Sequence, residues 1–193
     1  MNSVYILVLV FLTLSSCLNS IRWGRVAQRE HYIPGYVTKF YFRWVRLVPF
    51  NNLYFFLAII LALLSLWSPY PALLLSVLTL VTPIGLVFKH RTSKVNITER
   101  LKRLNIIYCI FVVLISIVSL SMDLGYFIAL VVNLFSFYIY DQALRFTKNY
   151  EKNTSEKFIV DAEQKIKNFE GPIIAITGSY SKTTTKNTLA QIL

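Results

Sequence analysis

Residues 104–140 read LNIIYCIFVVLISIVSLS, then Met122-Asp123, then LGYFIALVVNLFSFYIY. Two long uncharged runs joined by two residues leave little choice of fold. Each run approaches the roughly 20 residues that a helix needs to cross about 30 Å of hydrocarbon. Any non-helical backbone there would leave amides without partners, so both runs are expected as helices. Three further runs share this character: residues 3–18, 52–67 and 70–88, so that all five are 16–19 residues long and free of charged side chains. Pro71 and Pro83 sit near the two ends of the third, and Pro83 is placed to kink or end it.

Composition agrees. The chain has 193 residues, 55% of them hydrophobic and only 15% charged, against about 25% charged in soluble domains. That balance argues against an ordinary cytosolic enzyme and against intrinsic disorder. Two cysteines, both inside apolar runs, are too few for a disulfide scaffold. Cys17 and Cys109 are read as small apolar residues. His31 and His90 stand alone, without metal-ligand spacing. Asn105 and Asn133 are expected to hydrogen-bond between helices rather than to line a transport path.

The net charge of +11 calls for a partner of opposite sign or for a topological cause. Its distribution points to topology. Six Lys and Arg fall between the first and second runs, six between the third and fourth, and eight after the fifth, which accounts for all 20. The short connections Ser68-Pro69 and Met122-Asp123 have none. The positive-inside rule then places the N-terminus outside and the C-terminus in the cytoplasm, with no role for nucleic acid.

Leu14-Ser15-Ser16-Cys17 resembles a bacterial lipobox, which would make the first run a cleaved, lipidated signal. The absence of basic residues before the run, with Arg22 and Arg25 just after it, fits an uncleaved N-out anchor better. The loop that follows mixes basic and aromatic residues, as in Lys39-Phe40-Tyr41-Phe42-Arg43-Trp44. It reads as an interfacial segment, or as a surface for anionic lipid or a phosphorylated lipid-linked substrate. The uncharged spans argue against an ion-coupled transporter.

After Tyr140 the chain turns polar. Residues 141–170 are expected as a cytoplasmic linker. Within it, Ser155–Phe169 forms an amphipathic helix that starts at N-cap candidates Asn153 to Ser155 and ends before Gly171-Pro172. Phe158, Ile159, Ala162, Ile166 and Phe169 share its apolar face. Residues 171–193 read GPIIAITGSYSKTTTKNTLAQIL. Ile173 to Ile176 suit a buried strand, Thr177 to Ser181 a turn, and Lys182 the start of a helix. Strand, small-residue loop, Lys-Thr and helix form the P-loop arrangement, in which backbone amides and a helix N-terminus face phosphate oxygens. The pattern GxxxxGK[ST] is not met, because Ile176 and Ser181 stand where it asks for glycine.

A shorter pattern fits. TGSYSKTTTK resembles the ATP loop of the Mur ligases, TG[ST]xGK[ST][ST][ST]. Lys186 after the hydroxyl run and the following LAQIL are most similar to the branch that adds D-alanyl-D-alanine to UDP-N-acetylmuramoyl-tripeptide. The resemblance covers about 20 residues and departs at Ser181, where the family has glycine. It implies that Gly178, Ser179, Tyr180 and Ser181 cradle phosphate and that Lys182 binds it. Thr183 would stand on the magnesium side of ATP, and Thr184 would support it. It also implies an ATP-dependent acid–amino-acid ligase of cell-wall precursor synthesis, in a bacterial inner (plasma) membrane. The partners implied are ATP and Mg²⁺, membrane lipids, a UDP-linked or lipid-linked muropeptide, and D-alanyl-D-alanine.

The expectation for the whole is an all-α multi-pass membrane bundle (residues 1–140) followed by the first strand–P-loop–helix unit of an incomplete α/β nucleotide-binding domain. The chain would be the N-terminal part of a longer enzyme, inactive by itself because the other catalytic residues of such a ligase are not in it. The competing expectations are a non-enzymatic scaffold or lipid-precursor protein with a degenerate P-loop tail, and a capsule or poly-γ-glutamate ligase relative. An ABC-type transporter fits less well, for want of its extra glycines.

Overall fold

The computed structural model describes residues 3–47, 49–81, 95–122, 125–171, 174–177 and 182–192. Among the described residues there are eight helices and no strand: α1 Ser3–Arg29, α2 Tyr36–Leu47, α3 Pro49–Leu64, α4 Tyr70–Val81, α5 Glu99–Ser119, α6 Gly125–Leu134, α7 Ser136–Lys167 and α8 Lys182–Ile192. They divide into two compact units, Met1–Glu151 and Lys152–Leu193.

In the first unit α1 is the hub and packs against α2, α4, α5 and α6, while α3 packs against α2, α4 and α6. The surface is inverted relative to a soluble protein. Leu7, Phe11 and Leu14 of α1, Phe56 and Ile60 of α3, and Ile106, Ile110 and Val118 of α5 are exposed. Ser15, Ser16, Asn19, Ser20 and Arg22 of α1, Ser116 and Ser119 of α5, and Asn133 of α6 are buried. Lipid is as apolar as leucine, so helices in it associate through small and polar residues. An apolar outer surface, with small and polar residues buried beside an apolar core, is the character of a helical membrane protein. By length and composition α1 and α5 can each cross a membrane, and up to four spans result if each bent helix pair counts as one.

Among the described residues, all five expected runs carry helix, but their bounds differ from five separate full-length spans. The first run was expected to stop at Leu18, but α1 continues to Arg29. Asn19 and Ser20, which mark an end in apolar periodicity, are buried against neighbouring helices instead. The second ends at Leu64, where Ser65 to Ser68 turn back on the helix end. The third is helical from Tyr70 through Val81, and residues 82–88, with Pro83, lie outside the described residues, as does His90. The fourth begins early, at Glu99, because Thr98 accepts a hydrogen bond from the Leu101 amide and caps the helix. The fifth is broken at Phe135, where α6 and α7 meet at 75°. On either side of the break, Asn133 and Ser136 bond to α1.

The first basic, aromatic segment is not a loop. Helix α1 closes with Tyr32 N–H on Ala27 C=O and His31 N–H on Gln28 C=O, and His31 has φ 55°. This is the two-bond Schellman ending, with His31 in the left-handed position that glycine usually takes. The chain then enters α2, on which Lys39, Arg43 and Arg46 share one face, spaced as helical neighbours. Val37, Tyr41 and Trp44 are buried on the other side. An amphipathic helix rich in basic residues matches the interfacial reading of this segment.

Residues 141–151, expected as linker, are part of the bundle: Asp141, Ala143, Leu144, Thr147 and Glu151 are buried. The Asp141 carboxylate accepts from Gly35 N–H at 2.9 Å and Thr38 N–H at 2.8 Å, and from the Thr38 hydroxyl. It therefore caps the N-terminus of α2 from another helix, where free amides and the helix dipole favour an anion. Gly35 has φ 88°, a conformation that glycine adopts at little cost. Glu151 bonds Arg103 at 2.9 Å and Arg100 at 3.5 Å, tying α7 to the first turn of α5.

In the second unit, no break occurs at Asn153 to Ser155, since α7 runs unbroken to Lys167. Extending an existing helix costs far less than nucleating a new one, so cap-forming residues do not start a helix there. Phe158, Ile159, Ile166 and Phe169 are exposed. Residues 174–177 carry no strand, and Ile173 lies outside the described residues. A strand is defined by ladder bonds to a neighbour, and no second strand is present among the described residues.

Replacing Asp141 by alanine is expected to remove the α2 cap and cost about 2 kcal/mol. The check is thermal unfolding in detergent, where Asp141→Ala should melt several degrees below the parent and Asp141→Asn between the two.

Candidate functional site

Of the residues that the sequence marks for phosphate binding, Gly178, Ser179, Tyr180 and Ser181 lie outside the described residues. Lys182, Thr183 and Thr184 form the first turn of α8 and are exposed. Lys182 is the first described residue of this helix, and the loop before it lies outside the described residues. The amides of its first turn are the groups a helix leaves for capping or for an anion. Further along, the Thr188 hydroxyl donates to Thr184 C=O at 3.0 Å, a bond internal to the helix. Among the described residues no three His, Cys, Asp or Glu gather as a metal set.

Sequence reasoning missed a second feature, inside the bundle. A cavity of about 250 Å³ lies between α1, α2, α3 and α6, and its lining is overwhelmingly apolar. Trp23, Tyr41, Tyr54, Phe55, Ala58 and Phe137 form its walls. The Tyr41 and Phe137 rings stack with centroids 4.0 Å apart, and Trp23 meets both edge-on at 6.1 Å. Offset and edge-on contacts of this kind hold aromatic walls in fixed positions.

Polar side chains surround this aromatic box. Trp23 Nε1–H donates to Ser136 Oγ at 3.0 Å. Arg22, 3% exposed, donates to the carbonyls of Thr79 at 2.7 Å and Leu80 at 3.2 Å on α4. Asn133 Nδ2 donates to Ser15 Oγ at 2.6 Å and Ser16 Oγ at 3.0 Å. Tyr108 Oη donates to Ser16 C=O at 3.0 Å, and Tyr140 Oη to Asn105 Oδ1 at 2.6 Å. Asn105 and Asn133 thus bond between helices, as expected. The Oδ1 atoms of Asn19 and Asn133 are buried without a hydrogen-bond partner, at a cost of about 1–3 kcal/mol each.

The sequence signal for this region was the spacing of Ser15, Ser16, Asn19, Ser20 and Trp23. These residues follow one helical face past the end of the apolar run. Hydropathy averaging reads them as the end of a span. Gly24 belongs to the same face: a Cβ there would come within 2.7 Å of Leu101 Cδ1 and 3.0 Å of Tyr140 Oη. Its bare backbone lets α1, α5 and α7 approach closely.

A second, open cleft of about 640 Å³ lies along α2, lined by Lys39, Arg43, Arg46 and Asn52 together with apolar side chains. No protein-family model matches the chain, and neither does any curated protein or solved structure.

Asn133→Ala should destabilise the bundle by about 1 kcal/mol through loss of its bonds to α1. A double-mutant cycle with Ser16→Ala, read by unfolding in detergent, should give effects that do not add.

Proposed function

We propose that the chain is the membrane-anchored portion of a Mur-ligase-like, ATP-dependent amide ligase. The observation that carries this reading is the sequence TGSYSKTTTK. Its Lys182, Thr183 and Thr184 are helical and exposed in α8. In a P-loop the lysine meets the outer phosphates while loop amides and the helix N-terminus take the phosphate oxygens. Ser181 in the family's glycine position adds a side chain beside the nucleotide, which weakens binding but leaves the amides available.

In the activity proposed, ATP phosphorylates a substrate carboxylate and releases ADP. An incoming amine then attacks the acyl phosphate, forming the amide and releasing phosphate. Cell-wall precursor synthesis supplies substrates of this chemistry, a muropeptide carboxylate and the amine of D-alanyl-D-alanine. A membrane anchor suits a lipid-linked acceptor. The N-terminus outside and the C-terminus in the cytoplasm complete the proposal, supported by the concentration of all 20 basic residues in three segments.

Lys182→Ala should abolish binding of a fluorescent ATP analogue by the chain reconstituted in nanodiscs, with helical content unchanged. Equal binding by parent and variant would overturn the P-loop assignment. A thiol-reactive probe that cannot cross membranes should label a cysteine introduced at Asn2, and not one introduced at Lys186, in intact spheroplasts. The reverse pattern would overturn the orientation.

A further inference from the structure

We propose that the aromatic cavity and the basic cleft on α2 together form a site for a phosphorylated membrane lipid. In this site the tail lies in the cavity and the phosphate in the cleft. The inference stands on the bundle alone and does not depend on the ligase reading.

Three observations converge. The cavity's surface is mostly apolar, which suits hydrocarbon, with Asn19, Arg22, Thr79, Asn133 and Ser136 as the polar members of its lining besides its tyrosines. Its exposed lining residues, Phe42, Ile59, Leu63 and Phe135, are all apolar. They belong to the same outer surface as the lipid-facing side chains of α3, so the approach to the cavity is from hydrocarbon rather than from water. The cleft supplies the opposite chemistry. Lys39, Arg43 and Arg46 line it and no acidic residue does.

Phe42 joins the two parts, for its ring lines both cavity and cleft. A molecule that fills both must be apolar at one end and anionic at the other, with the change at the level of Phe42. Guanidinium groups match phosphate oxygens with paired donors, and a single-charge ammonium such as Lys39 adds to the field. A phosphomonoester headgroup carries the charge that three cations favour, whereas the trimethylammonium of a choline lipid meets them with like charge.

The fixed walls bear on the fit. Tyr41, Phe137 and Trp23 are held by ring contacts on several sides, so the cavity is formed in advance. A tail entering it need not order the protein, which keeps the cost of binding low.

Native mass spectrometry of the full chain, released from mixed micelles holding equal amounts of phosphatidic acid and phosphatidylcholine, tests the assignment. The parent should retain phosphatidic acid over phosphatidylcholine by at least about tenfold. The exposed triple variant Lys39→Gln/Arg43→Gln/Arg46→Gln should lose that preference. A control of equal charge change, Lys157→Gln/Lys165→Gln/Lys167→Gln on α7, should keep it. Ala62→Phe, which fills the cavity from α3, should lower retention of both lipids several-fold, with circular dichroism confirming its helicity. Equal retention of the two lipids by the parent overturns the proposal. So does a control triple that loses as much preference as the α2 triple, or undiminished retention by a folded Ala62→Phe.

Discussion

A single carboxylate sets the architecture of the bundle. Asp141 takes two backbone amides and a hydroxyl at the start of α2, and so joins a helix late in the chain to a turn near its beginning. Without it, those partly buried amides at the start of α2 would lose their hydrogen-bond acceptor. The position of α2 follows from this cap, and with it the positions of Tyr41 and Trp44 in the core. The stacking of Tyr41 on Phe137 then fixes the segment just before Asp141. Cap and stack hold the same two elements, so each limits the freedom of the other.

The remaining helices are held by a different economy. Apolar side chains face outward, where burial against lipid or against protein differs little in free energy. Packing therefore depends on what α1 offers along one face: small residues for close approach, and hydroxyl and amide groups for bonds. Tyr108, Asn133 and Trp23 each reach between α1 and another helix. Such bonds are individually worth about 0.6 kcal/mol in a membrane bundle. Their number along one seam, rather than the strength of any one, selects the arrangement.

Much of this was legible in the sequence, and the failures have one cause. The uncharged runs gave helices, and the interfacial character of residues 36–47 could be read from alternating aromatic and basic side chains. Windowed hydropathy, however, treats every polar residue as an exit from the membrane. Asn19 and Arg22 were therefore placed outside the first span, and Asp141 in a linker, although all three are buried. The break at Phe135 was invisible because no proline or glycine marks it; it follows from bonds to a helix more than a hundred residues away. In the second unit, a helix over Lys182 and the residues after it was readable from the sequence. The strand before it was not, because strand formation depends on a neighbour that local sequence does not specify.

The bond from Arg22 to α4 has a consequence for how the molecule is made. The guanidinium donates to carbonyls 57 and 58 positions later in the chain. A ribosome delivers α1 well before those carbonyls exist, and an arginine is costly in hydrocarbon without acceptors. The bonds of Arg22 can therefore form only after α4 has been made. Until then the guanidinium must find its acceptors elsewhere, so this seam of the bundle depends on a helix that reaches it late.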